Sequence, residues 1–253
     1  MRIGVVIPVR NMRPFIEEAL QSIADQTYGD VYAYVADDRS DDGTYEWLKA
    51  HPSKYRKLKR NRKRLGWAGN LNAAAALAIT HGCDAIIGLS ADDILVPEAI
   101  ETLAGLLVEN DRDWVQCAVR EWGGQNRIFT SKHDPVLADF KTWPPLNDKV
   151  LIRSPIWKAV GGYSTDISPP DSWGSAEDWD FWIKVFKAGY TNYKIIDDAL
   201  YWYRIHETNL SWDRHNVHVY TVKRLREKYP EVWEMSGGWG HYGPYAPVFQ
   251  EWA

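Results

Sequence analysis

The stretch "DAIIGLSADDILVP", residues 84–97, decides the reading of this chain. Ala85–Leu89 is a short apolar run with no polar face, as a strand buried on both sides requires. Asp92 and Asp93 then stand where such a strand must end. Pro97 opens a further segment in which Ile100, Leu103, Ala104 and Leu107 recur at helical spacing. A buried strand that stops at paired carboxylates and feeds a helix is one unit of an α/β sheet.

The same unit recurs upstream. "RIGVVIPV", 2–9, is another β-branched strand, and Ile16, Ala19, Leu20, Ile23 and Ala24 follow it at helical spacing. "VYAYVA", 31–36, runs into the polar loop "DDRSDDGT" and the short helix "YEWLKAH". A short third strand in a basic run precedes the Ala-rich helix "WAGNLNAAAALAITHG", which Gly82 ends. Strand and helix in alternation predict a mostly parallel, Rossmann-like sheet. Ligands of such sheets bind at the carboxyl ends of the strands. Asp37 and Asp38 end the second strand and Asp92 and Asp93 the fourth, so both acidic pairs fall on the ligand edge.

Beyond residue 120 the alternation loosens. "WVQCAV", 114–119, reads as one strand; "KVLIRSPIWKAVGGY", 149–163, as a strand and short helix closed by Gly161 and Gly162. "SAEDWDFWIKVFKAGY", 175–190, is a helix, and "YTNYKIIDDALYWYRIH", 190–206, a strand and turn.

Composition sets limits. The chain has 253 residues, 45% of them hydrophobic and 25% charged, which suits a folded domain with a sizeable core. Cys83 and Cys117 lack metal or redox spacing and read as buried thiols. No stretch has the length of a membrane span, so a cytoplasmic protein is expected. The net charge of −4 divides into +8 on "KYRKLKRNRKR", 54–64, and −12 elsewhere.

Taken in order, "IPVRNMRPFIEEALQSIADQT", "VADDRSDDGT", "LGWAGNLNAA", "LSADDILVPEAI", "VGGY", "AEDWDFWIKVFKAGY" and "YRIHETNLS" resemble the succession of motifs in family 2 glycosyltransferases. The resemblance spans residues 1–212 and implies the GT-A fold, an α/β nucleotide-diphospho-sugar transferase architecture. It leaves 213–253 as a helical, aromatic-rich extension that could cover the acceptor cleft or make a homodimer contact. It further implies metal-dependent, inverting transfer from a nucleoside-diphosphate sugar, a UDP-sugar being the first expectation. The acceptor would be a hydroxyl of a saccharide or lipid-linked saccharide.

By the same resemblance, Ala91 and Asp92 stand in the acidic motif, and Asp92 would hold Mn²⁺ or Mg²⁺ with help from His206. Ser90 replaces the carboxylate that many members carry two residues before Asp92. Pro8, Arg10, Asp37, Asp38, Gly66, Asn70, Asn72 and Arg204 would line the donor site. Gly69 stands where a basic residue is common. Asp178 matches the catalytic base and would gain basicity from partial burial beside Trp179 and Trp173. Gly161, Gly162, Trp173, Glu177 and Trp179 are candidates for the acceptor side.

Two other readings stay open. The basic run would suit a glycosyltransferase acting on a hydroxylated base in DNA. Alternatively the chain would be a non-catalytic sugar-nucleotide or saccharide binder on the same fold.

Overall fold

A computed structural model describes residues 1–141, 144–167, 177–207 and 215–236. In chain order the first half comprises β1 (Ile3–Val9), α1 (Ile16–Ala24), β2 (Val31–Asp37), α2 (Thr44–Ala50), β3 (Lys57–Arg60), α3 (Gly66–Thr80) and β4 (Ala85–Gly88). Next come β5 (Ile94–Leu95), α4 (Ala99–Glu109), β6 (Trp114–Gln116), β7 (Val119–Trp122), β8 (Ile128–Phe129) and β9 (Val150–Arg153). The remaining described elements are α5 (Ser154–Ala159), α6 (Glu177–Lys187), β10 (Tyr193–Ile195), β11 (Tyr201–Arg204), α7 (His215–Lys228) and α8 (Pro230–Glu234).

Seven strands form the central sheet in the order β10-β6-β9-β4-β1-β2-β3, and only β9 runs antiparallel to its neighbours. Alternation sends successive side chains to opposite faces. Val5, Ile7, Ala33, Val35 and Ile87 pack against Ile16 and Leu20 of α1, Leu48 of α2 and Leu103 of α4. Val6, Tyr34, Ile86 and Ile152 meet α3 and α6 on the other face. The Ala-rich sequence of α3 lets that helix lie close on the sheet. A Cβ on Gly4 would come within 2.7 Å of the Ala78 Cβ, so β1 carries no side chain there.

The chain steps outward from β1 to β3 with α1 and α2 on one face, then returns beneath the other face through α3 to β4. Strand order therefore reverses between β1 and β4, which opens a crevice at their carboxyl ends.

Two segments read as single strands prove to be divided. Trp114–Gln116 belongs to the central sheet, whereas Val119–Trp122 joins a second sheet ordered β5-β11-β7-β8. Likewise Tyr193–Ile195 pairs with β6, whereas Tyr201–Arg204 pairs with β5 and β7. Both breaks mark a change of sheet, which apolar patterning alone does not reveal. Among the described residues no helix is long and apolar enough to cross a membrane. Cys83 and Cys117 are buried and unpaired, and burial pushes the Cys117 thiol up to about 12.

The helix α7 is tied to the core by a carboxylate. Asp180, on α6, is wholly buried and accepts from Lys228 Nζ (2.8 Å), Tyr229 Oη (2.8 Å) and Ser164 Oγ (2.5 Å), with Lys184 at 3.3 Å. Burial would raise its pKa, but these donors outweigh it and hold it below the ordinary carboxylate value. A depressed carboxyl contributes stability above its unfolded pKa, and that stability is lost as pH falls through the folded value. We expect Asp180→Ala to lower unfolding free energy at neutral pH by about 2 kcal/mol, less than a fully buried pair because Lys228 remains partly exposed. Denaturant titration at pH 7 and again at acid pH should show the deficit shrinking as pH falls; an equal deficit at both would exclude the ionic origin.

Candidate active site

The acidic loop after β4 and the strand β11 are stitched together over a long sequence separation. Tyr201 Oη accepts from the Ser90 amide at 3.0 Å and donates to Asp93 Oδ2 at 2.7 Å. Asp93 Oδ1 accepts from the Arg204 amide at 2.9 Å, and Arg204 Nε donates to the Asp92 carbonyl at 2.8 Å. His206 Nε2 lies 3.0 Å from Asp92 Oδ2. Burial first, then the charge of Asp92, push the Asp93 carboxyl up to about 7. The two neighbouring acids thus differ: Asp93 is wholly buried and holds the loop, while Asp92 keeps some exposure at the strand edge.

Asp92 and His206 fit a hard divalent cation. A carboxylate oxygen and an imidazole nitrogen face each other, and Mg²⁺ or Mn²⁺ takes few protein ligands when substrate phosphates and water supply the rest. No group of three or more His, Cys, Asp or Glu suited to a metal occurs among the described residues. The Arg204 guanidinium sits 4.0 Å over the Trp122 ring and pairs with Glu18, so its orientation is fixed.

At the carboxyl ends of β1 and β2 the predicted donor residues divide into two kinds. Pro8 lines the crevice. Asp38 accepts from Asn61 Nδ2 (2.9 Å) and from the amides of Leu65 (2.8 Å) and Gly66 (3.0 Å), so it caps the start of α3. Asp37 is fully buried, accepts from Ser40 and lies 3.4 Å from Arg60 Nε; burial raises its pKa. Gly66 takes φ +73°, which the turn into α3 demands. Arg10 is half-buried beyond β1, and Ala91 is buried.

The two asparagines expected to face a sugar are occupied elsewhere. Asn70 is buried, donates to the carbonyls of Ala36 (2.9 Å) and Val9 (3.3 Å), and accepts from Asn61. It latches α3 to the ends of β1 and β2. Asn72 donates to the Tyr163 carbonyl (2.7 Å) and accepts from its amide (2.9 Å). Gly162, at φ +63°, faces Asn72: a Cβ there would lie 2.5 Å from its Oδ1. "VGGY" is therefore a tight turn clamped onto α3, and Gly161, at φ +74°, shares it.

Trp67, Trp157 and Tyr163 wall the crevice, and Ser90, Asp148 and Lys149 complete its polar side. Sequence reading missed Asp148 and Lys149. Because β9 is antiparallel, its entry, not its exit, reaches the ligand edge. Lys149 Nζ pairs with Asp148 at 2.9 Å and sits 4.6 Å from the Tyr201 ring centre. Burial works against its charge, yet Asp148, Tyr201 and Asp93 overcome it and hold the lysine pKa well above normal.

Asp178 and Glu177 open α6, where the helix dipole favours acids. Asp178 Oδ1 accepts from the Trp179 amide at 2.9 Å. Tyr163, on the crevice wall, has its pKa raised by burial first and then by the charges of Asp148, Asp178 and Glu177. Glu177 is buried. Trp179 corrects the expectation of an acceptor platform: it is wholly buried and donates from Nε1 to the Phe140 carbonyl at 2.8 Å, so its ring belongs to the core. Trp173 lies outside the described residues.

Comparison with known proteins bears on the fold and the family. Residues 4–165 match the family Glycosyl transferase family 2. EpsE of Bacillus subtilis, named as a glycosyltransferase, is 26% identical over 208 residues, covering 79% of this chain and 72% of that protein. A glycosyltransferase of Haemophilus influenzae is 24% identical over 253 residues, covering 89% and 72%. In structure, S. aureus TarS 1-349 in complex with UDP-GlcNAc superposes with TM-score 0.71 at 20% identity, over 89% of this chain and 65% of that one. The mannosyltransferase PcManGT from Pyrobaculum calidifontis, in complex with GDP-Man and Mn²⁺, gives 0.63 at 20% identity, over 98% and 68%. The fold is GT-A, and the chain belongs to glycosyl transferase family 2.

Proposed function

We propose that the protein moves a sugar from a nucleoside-diphosphate sugar, a UDP-sugar first among the candidates, to a hydroxyl of a saccharide or lipid-linked saccharide, with inversion. The observation that carries this reading is the Asp92–His206 pair, 3.0 Å apart beyond the carboxyl end of β4. Neighbours of the same fold bind UDP-GlcNAc in one case and GDP-Man with Mn²⁺ in another, which supports a nucleotide-sugar donor.

In this proposal Pro8, Arg10 and the Asp37–Asp38 loop border the nucleotide, and Trp67, Trp157, Tyr163 and Asp148 enclose the sugar. Asp92 and His206 hold the divalent cation, Mn²⁺ or Mg²⁺, which when bound supplies Lewis-acid stabilisation of the leaving diphosphate. Asp178 removes the proton of the acceptor hydroxyl as its oxygen bonds to the anomeric carbon and the bond to the diphosphate breaks. Residues 1–212 form the transferase unit and 213–253 an extension to it.

Calorimetric titration with UDP, GDP and dTDP, each with and without Mn²⁺, tests the reading. Metal-dependent binding of one nucleotide is expected; binding of none would favour a saccharide-binding module instead. Tyr201→Phe gives a finer test. It deletes the bonds to Ser90 and Asp93 without touching Asp92 or His206. Support residues behind metal ligands typically matter by about 10–100-fold in affinity. We expect metal-dependent nucleotide affinity to fall by that factor. Unchanged affinity in this variant would show that the stitch does not position the pair.

A further inference from the structure

The proposed function gives roles to the acidic loops and none to Lys57, Lys59, Arg62 and Lys63. The basic run forms the far edge of the central sheet. Among the described residues β3 pairs with β2 alone and stands at the end of the strand order. Leu58 packs inward while Lys57 and Lys59 stand exposed on alternate positions, and exposed Arg62 and Lys63 continue the run toward α3. Arg60 is engaged, 3.4 Å from Asp37 and 4.2 Å over the Tyr45 ring. The side chains of Lys57, Lys59, Arg62 and Lys63 have no ion pair, hydrogen bond or ring contact among the described residues. Leu65, 37% exposed, follows them, and Trp67 two residues later lines the crevice.

We propose that this edge docks on the anionic lipid headgroups of a bilayer and holds the crevice mouth at the membrane surface. Four exposed cations on β3 and the loop after it, without a side-chain partner among the described residues, complement a flat, negative plane. The rest of the chain carries −12, which disfavours a long polyanion that must follow the surface beyond this edge, whereas a plane need touch only the edge itself. Leu65 adds an apolar side chain at the same rim. Each cation near an anionic leaflet contributes roughly fivefold in partitioning, so four together contribute about 10²–10³-fold.

The test is co-sedimentation of the full chain with vesicles of phosphatidylcholine alone and of phosphatidylcholine mixed with phosphatidylglycerol. No nucleotide or sugar is present, so a failed transfer assay leaves this inference standing and the reverse also holds. The protein should pellet with the mixed vesicles only, and high salt should release it. Lys57→Gln, Lys59→Gln, Arg62→Gln and Lys63→Gln combined should weaken binding by about 10²–10³-fold with unchanged circular dichroism. Should that variant lose its fold, Lys59→Glu alone should still weaken binding by at least about tenfold. Equal pelleting by both vesicle types, or retention by the folded variants, overturns the proposal. Salt-sensitive binding to duplex DNA without binding to vesicles overturns it too, and assigns the edge to nucleic acid.

Discussion

Asp178→Asn should reduce kcat for sugar transfer by about 10²–10⁴-fold, the usual contribution of a general base. Nucleotide affinity should not change. Asparagine keeps the size of the side chain, and its Oδ1 can still accept from the Trp179 amide at the start of α6. What it cannot do is take a proton from the acceptor. Because the proposed base would act on the acceptor rather than the donor, the loss should fall on kcat, with the KM for the donor nearly unmoved. Donor hydrolysis and transfer should be followed separately. Transfer at the wild-type rate would remove Asp178 from the role, and attention would pass to Glu177, its buried neighbour on the same helix turn.

Asp92→Ala addresses the other half of the reaction. It removes the carboxylate that faces His206 and leaves Asp93, Tyr201 and the backbone of Arg204 in place. Calorimetry with nucleoside diphosphate should show affinity that no longer responds to Mn²⁺. The wild-type response should vanish when the metal is chelated, and the variant should match that chelated state. Since Asp93 carries the structural bonds of the loop, thermal stability should change little. If Asp92→Ala retained the Mn²⁺ response, the pair would not be the metal site. If Asp93→Ala were the variant that lost the response while keeping its fold, the two acids would have been assigned in the wrong order.

Much of this was legible in the chain. The strands β1, β2 and β4 are buried on both faces, so their composition alone marks them as parallel, and the acids at the ends of β2 and β4 locate the ligand edge. The order of motifs identified the family. Individual roles were harder to read. Asn70 and Asn72 look like ligands for a sugar, yet both are latches, because the groups they bind lie 34 and 91 residues away. Trp179 sits beside the candidate base in sequence, but on a helix adjacent residues point in directions about 100° apart, and this one turns into the core.

Sequence by itself determined what depends on near neighbours: the alternation of strands and helices in the first half, where β2 and β4 stop, and which acids stand at those stops. Tertiary structure decided everything that depends on pairing between distant segments. The direction of β9 brings Asp148 and Lys149 to the crevice, and no local pattern encodes that direction. The division of 190–206 between two sheets delivers Tyr201, Arg204 and His206 to the acidic loop. The physical reason is range. Periodicity records which face of an element is buried, whereas hydrogen bonds across about a hundred residues form only once the sheets have assembled.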